Sequence, residues 1–388
     1  MRKRIDIEAL EEKFLAPYAM QSKNSAGREY QEPLHDVRTC YQRDRDRIVH
    51  SEAFRKLEYK TQVFIIFEGD YYRTRLTHTI EVAQIARTIG RSLQLNEDLI
   101  EAIALAHDLG HPPFGHAGEE ALNLIMKEAG LPGFNHNKRS FEIVTKFEKR
   151  YPQFNGLNLS QEVLIGILKH KTSYDVPGIS EKFSHEGLTL EAQVVDVADS
   201  LAYLNHDVDD GITSGCISEE DLIDSELWQT ALSRVKSMIH SQEREILKYQ
   251  IVKELIDMQV KDLLSFSDER IQAANLKSSQ DVKKSNMVFV DFSPKMSGQR
   301  QYLQDLLNKK FYHHYRVERM TSKAKRIIED LFRVYKKNPH QLPYSVYQRD
   351  RSYDTKAEYE IICNHIASMT DRHALDEHKR FFDPYEKV

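Results

Sequence analysis

Apolar positions recur every three to four residues along most of the chain, and that spacing predicts helices nearly everywhere. The predicted helices run over Leu10 to Leu15, Arg43 to Lys60, Leu76 to Leu93, Glu97 to Ala106, Gly118 to Glu128, Lys138 to Phe147, Gln161 to His170, Leu190 to Val208 and Ser218 to about Ser265. Two long stretches, Lys295 to Tyr335 and Ala357 to Leu375, close the chain. Strand signals are few. Gln62 to Phe67, ahead of Gly69-Asp70, reads as half a hairpin, and Met287 to Phe292 as a short edge strand. The polar run Ser278 to Ser285 reads as a surface loop, and a soft boundary falls between Asp210-Gly211 and Gly215. The expected class is all-α with at most a short β-hairpin, without internal repeats.

Composition narrows the setting. A chain of 388 residues, 40% hydrophobic and 30% charged, can bury a large core as one big domain or two closely packed ones. Cys40, Cys216 and Cys363 are scattered without CxxC spacing, so neither a disulfide framework nor a zinc ribbon is expected, and a reducing cytoplasm fits. The start, Met1-Arg2-Lys3-Arg4-Ile5-Asp6, lacks the apolar stretch of a signal peptide, and no segment reaches membrane-spanning length. Net charge is only -5 but unevenly placed: nine Lys or Arg against six acids between Arg38 and Arg75, and ten acids with no Lys or Arg over 192–233. For most of the Arg43 to Arg47 run, ion pairs on a solvated helix are the simpler account.

The run His107-Asp108-Leu109-Gly110-His111-Pro112-Pro113-Phe114-Gly115-His116 is unlike core or helix sequence. Imidazoles and a carboxylate in close order suit a borderline to hard divalent cation. Two further donors lie at helical positions. His78 is in phase with Val82, Ile85 and Ile89, and Asp199 lies on the apolar side of the helix around Glu191 to Tyr203. A lone His on an apolar face is more often a satisfied core residue than a ligand, and a lone buried carboxylate is costly unless compensated. As a set of four, His78, His107, Asp108 and Asp199 favour a metal. Arg75, one turn before His78, would project beside it with a guanidinium suited to phosphate.

These motifs resemble the HD-domain phosphohydrolases, and most of all their deoxyguanosine triphosphate triphosphohydrolase branch. The resemblance spans about residues 35 to 350. It includes Gln42 to Ser51, Phe54 to Phe64, Arg75 to Thr79, the decapeptide above, Gly133-Phe134-Asn135-His136-Asn137, Ala198-Asp199 with Tyr203, and Tyr312 to Val317. It implies an N-terminal arm and helix (1–50), a metal-binding catalytic core (51–215), and a C-terminal helical region (216–388) that completes the substrate pocket and oligomer contacts.

The resemblance also implies a deoxynucleoside 5'-triphosphate (dNTP) cleaved at the α-phosphorus to deoxynucleoside and triphosphate. Its cofactor would be a divalent metal, with Mn, Mg, Fe, Ni, Co and Zn all compatible. In the matching positions His111, His116, Glu119 and His136 would share proton transfer and leaving-group stabilisation. Arg75, with His111 and His116, would also contact the phosphates, while Gln62, Tyr203 and Asp207 would line the sugar. Tyr203 against C2' would leave no place for a hydroxyl, although core packing explains that ring equally well. Tyr312 and His314 would approach the nucleotide, with a solvated or interface helix as the alternative. Family members commonly form oligomers, some activated by a second nucleotide, so a homo-oligomer and an allosteric dNTP are implied. Two competing readings stand beside this one. One keeps the metal site for nucleoside monophosphates, cyclic nucleotides or single-stranded nucleic acid, and the other is a nucleotide-sensing scaffold with little turnover.

Overall fold

A computed structural model describes the chain except for residues 63–72, 172–176, 179–182, 184, 240–242, 349–352 and 388. The described residues form sixteen helices and no strand, only isolated bridges such as Thr61 with Thr74, so the protein is all-α. No helix among them is long and apolar enough to cross a membrane. The three cysteines are free.

Four helices frame the functional centre. α4 (Arg75–Ser92) starts where Thr74 and Thr77 exchange hydrogen bonds in a capping box. α5 (Glu97–Ala106) starts where the Asn96 side chain accepts the amides of Asp98 and Leu99. Its Leu99, Ile100, Ile103 and Leu105 are buried, each contributing about 1.5–3 kcal/mol of burial. α8 (Gln161–Leu168) is buried from Glu162 to its end, and the 24-residue α9 (Leu190–Thr213) packs across α4 and α5. α2 (Cys40–Val49) packs on α5; α10 (Glu226–Met238), α11 (Arg244–Ala274) and α13 (Pro294–Leu307) complete this main core.

A second core lies beside it. α14 (Tyr315–Lys337) carries Ala324, Ile327, Ile328, Leu331, Phe332 and Tyr335 on one stripe. That stripe meets α6 (Gly115–Glu128), α15 (Thr355–Ala367) and α16 (Asp371–Phe382), with Phe114, Leu122 and Ile362 inside.

Several predicted boundaries change for local reasons. The helix expected over Arg43 to Lys60 breaks after α2 because the Ser51 hydroxyl caps a separate short α3 (Glu52–Lys56), accepting the Phe54 amide at 3.1 Å. The stretch expected over Ser218 to Ser265 becomes α10 and α11, and that over Lys295 to Tyr335 divides at a wide π-turn, Asn308–Tyr312. The expected loop at Ser278 to Ser285 is instead α12 (Ser279–Ser285), capped by Ser278 and anchored by buried Val282, an amphipathicity too short to register as a period. The expected strand Met287 to Phe292 forms none. The Gln193 side chain donates to the Met287 carbonyl and accepts from the Phe289 and Val290 amides, standing in for a neighbouring strand. Of the expected hairpin, everything after Gln62 lies outside the described residues.

Candidate metal and substrate site

α4 delivers Arg75 and His78 from its first turn, α5 delivers His107 and Asp108 at its end, and α9 delivers Asp199 from its middle. All five are buried. His78 Nε2 lies 2.8 Å from Asp199 Oδ1; His107 Nε2 lies 3.8 Å from the same oxygen and 3.5 Å from Asp108 Oδ1. One ligand atom from each of His78, His107 and Asp199 falls within 4.8 Å of the others. His107 Nδ1 donates to the Ala104 carbonyl at 2.6 Å, so its Nε2 carries the lone pair; that buried atom has no hydrogen-bond partner. Two imidazole nitrogens and two carboxylates, one nitrogen orphaned and aimed inward, fit a divalent cation.

Arg75 sits against this group. Its Nη1 donates to Asp108 Oδ2 at 2.8 Å, while Nε and Nη2 are buried without partners. Space for the guanidinium depends on Gly115: at φ +58 an L side chain is disfavoured, and an added Cβ would lie 3.1 Å from Arg75 Nη2 and 3.4 Å from the Gln62 carbonyl. Gln62 is itself buried, with Oε1 unpartnered.

The turn after Asp108 builds a second group. Gly110 lets the first turn of α7 (His136–Glu142) come into backbone contact, and its amide donates to Ser140 Oγ at 2.8 Å. That approach stacks the His111 and His136 rings, centroids 3.9 Å apart and 19° from parallel. His111 Nε2 is 3.2 Å from Asp108 Oδ1, and His136 Nδ1 is 3.0 Å from both Glu119 oxygens. His116, 38% exposed at its side chain, reaches 4.0 Å from Glu119. A cavity of about 700 Å³ opens over His116, Glu119 and His136, walled by Phe134, Lys127 and Lys138. A larger one, about 940 Å³, lies between α8, α9 and α13 and holds none of the predicted site residues.

Electrostatics differ between the groups' members. Burial would raise Asp108 and Asp199. Arg75, His107 and His111 instead hold Asp108, and the neighbouring His170 and His78 imidazoles hold Asp199, well below the usual carboxylate range. Burial, with Arg75 and His136 adding to it, keeps His111 far below the usual imidazole value. Burial also opposes ionisation of Glu119, yet His136 keeps it low.

The other predicted contacts are distributed unevenly. The Tyr203 ring stands between the two groups, its centroid 6.2 Å from His78 and 6.1 Å from His116. The Tyr312 hydroxyl donates to Asp207, which burial holds well above its usual value. His314 is not brought to the site: its Nδ1 accepts the Arg316 amide at 3.4 Å, capping α14, and lies 3.4 Å from Cys216 Sγ.

Sequence reasoning missed four residues. His170, just past α8, reaches Asp199 Oδ2 at 3.1 Å and Asp196 Oδ1 at 2.6 Å, and those two carboxylates outweigh burial and raise its pKa well above normal. Asp196 and Asp199 are three residues apart on α9, a spacing that could have marked the pair. His206, seven residues after Asp199 and so on the same face, meets His78 with Nδ1 atoms 3.2 Å apart and Glu81 with Nε2 at 2.8 Å. Burial lowers His206 to about 4, whereas hydrogen bonds from His206 and Arg73 overcome burial and hold Glu81 at about 2.

A final tie comes from the second core. The first carboxylate of α16, Asp371, accepts the Thr61 and Phe114 amides, both at 2.9 Å, and the Thr61 hydroxyl. Lys60 Nζ donates to the His111 carbonyl, and burial brings Lys60 down to about 7.

Comparison with known proteins agrees with this arrangement. Residues 75–204 match the HD domain, and residues 290–380 match the phosphohydrolase-associated domain. A Geobacter sulfurreducens deoxyguanosinetriphosphate triphosphohydrolase-like protein is 48% identical over 384 residues, 98% of each chain. Proteins of the same description from Nitrosomonas europaea and Caulobacter vibrioides are 46% and 42% identical, covering 95% of this chain and 98% and 96% of their own. The chain therefore belongs to the deoxyguanosinetriphosphate triphosphohydrolase-like family of HD-domain phosphohydrolases, which are metal-dependent hydrolases.

Proposed function

We propose that the protein hydrolyses deoxynucleoside 5'-triphosphates at the α-phosphorus, releasing a deoxynucleoside and inorganic triphosphate, with dGTP as the first substrate to test. The observation that carries this reading is Arg75: a buried guanidinium, held by Asp108 beside four metal-type donors, with two nitrogens left for an anion. The description shared by relatives of nearly equal length supports the choice of substrate.

His78, His107, Asp108 and Asp199 would hold the divalent metal. A bound metal supplies charge neutralisation at the phosphate and lowers the pKa of water. Arg75 and His111 orient the triphosphate. Water attacks the α-phosphorus and the bond to the 5'-oxygen breaks, so that oxygen needs a proton. His116, at the mouth of the cavity and within reach of Glu119, delivers it; the Glu119–His136 pair keeps the carboxylate ionised and in place. Tyr203 packs against C2' of the sugar, with Gln62 and the Asp207–Tyr312 pair around it. On this reading residues 51–215 carry the chemistry and 216–388 close the pocket.

The test is a product assay with each of the four dNTPs, with and without a second dNTP, in Mg and in Mn buffer. Triphosphate and deoxynucleoside in equal amounts are expected. Orthophosphate or pyrophosphate would move the reading to another phosphoester reaction, and binding without any product would make the protein a nucleotide sensor.

A further inference from the structure

We infer that His206 and Glu81 form a relay that sets the tautomer of His78, making them positioning residues for the metal. The inference rests on His78 being a ligand. His78 Nδ1 and His206 Nδ1 are 3.2 Å apart in a buried setting, so one must donate and the other accept. On the far side of His206, Nε2 lies 2.8 Å from a Glu81 oxygen, which can only accept while ionised. Arg73 secures that state: its Nε is 3.1 Å from Glu81, and its Nη atoms are tied to Asp210 at 2.7 Å and Asp209 at 2.9 Å. A metal ligand at this position needs its Nε2 lone pair free, so the His78 proton belongs on Nδ1, where, among the described residues, the only side-chain acceptor within reach is His206 Nδ1; the His206 proton then belongs on Nε2, against Glu81.

The alternative shows why this matters. Asp199 lies 2.8 Å from His78 Nε2, and without an acceptor at Nδ1 its carboxylate would draw the imidazole proton to Nε2. That proton would occupy the lone pair a metal needs. His107 solves the same problem with the Ala104 carbonyl; His78, in the first turn of α4, uses another side chain.

The experiment is titration of Mn²⁺ into metal-stripped full-length protein, followed by calorimetry, with thermal unfolding as the check on folding. His206→Leu removes the acceptor and is expected to weaken Mn²⁺ binding by about 10–100-fold. His206→Asn keeps an acceptor oxygen where Nδ1 stood and is expected to restore affinity to within about threefold of wild type, where loss of an outer-shell partner costs at least about tenfold. Glu81, half-exposed, gives a variant outside the packed interior: Glu81→Lys, which forces a donor onto His206, is expected to weaken binding like the Leu variant. Wild-type affinity in folded His206→Leu or Glu81→Lys, or equal weakness in the Asn and Leu variants, would overturn the relay. Absence of Mn²⁺ binding in the wild type itself would instead overturn the metal reading beneath it.

Discussion

The two halves of the site are built from the same residue types and set in different surroundings. The candidate ligands His78, His107, Asp108 and Asp199 lie inside the main core, where three helices cross and all four are buried. His116 and Glu119 lie on α6, a helix that belongs to the second core, and they face a cavity. Holding a cation needs donors frozen at fixed separations, which a packed interior supplies. Moving a proton to a leaving group needs a side chain that can meet both substrate and solvent, which a seam between two cores supplies. His111 bridges them, 3.2 Å from Asp108 on one side and stacked on His136 on the other.

The division predicts that the halves can be separated by mutation. Asp199→Ala is expected to have the largest effect: turnover falls by more than the roughly 10⁴-fold ceiling of a lost acid–base group, and bound metal disappears with it. Metal analysis that finds a full complement in that variant would break the comparison at its root. Glu119→Gln should reduce kcat by about 10²–10⁴-fold while metal content stays at the wild-type level. A parallel loss of metal would mean that the two groups are one centre.

The connection between the cores gives a third test. Asp371→Ala strands the Thr61 and Phe114 amides and is expected to cost about 2–4 kcal/mol in urea unfolding. Because Phe114 and Gly115 hold positive φ values in the turn between His111 and His116, the same variant should lower kcat more than it raises KM. Chelation gives a fourth test, of a size comparable to the third. Stripping metal held at a hundredfold excess over Kd removes about 2.7 kcal/mol of stability. Thermal unfolding should record that drop for wild type and Glu119→Gln alike, and none for Asp199→Ala.

The candidate metal donors stood out in the chain because they sit at element ends and in phase with apolar neighbours. His107 and Asp108 follow directly on an unbroken apolar helix, and His78 follows the period of Val82, Ile85 and Ile89. The relay through His206 and Glu81 could not be read the same way. Residue spacing puts His206 on the face of Asp199, but its meeting with a ring from α4 depends on how α4 and α9 cross. The place of His314 was hidden for the opposite reason: its ring is used locally as a helix cap, a competition between backbone and site that periodicity does not register.

By itself the order of residues determined the helical class, the ends of α4 and α5, and the candidate ligands, because local periodicity and caps act within a few residues. Only the tertiary structure decided which carboxylates meet which imidazoles, where the α16 carboxylate fastens the turn before α6, and which face of the site opens on a cavity. Those choices depend on contacts between residues distant in sequence, such as Asp371 with Thr61 and Phe114, where helix crossing and close approach at Gly110 and Gly115 set distances that no spacing rule contains.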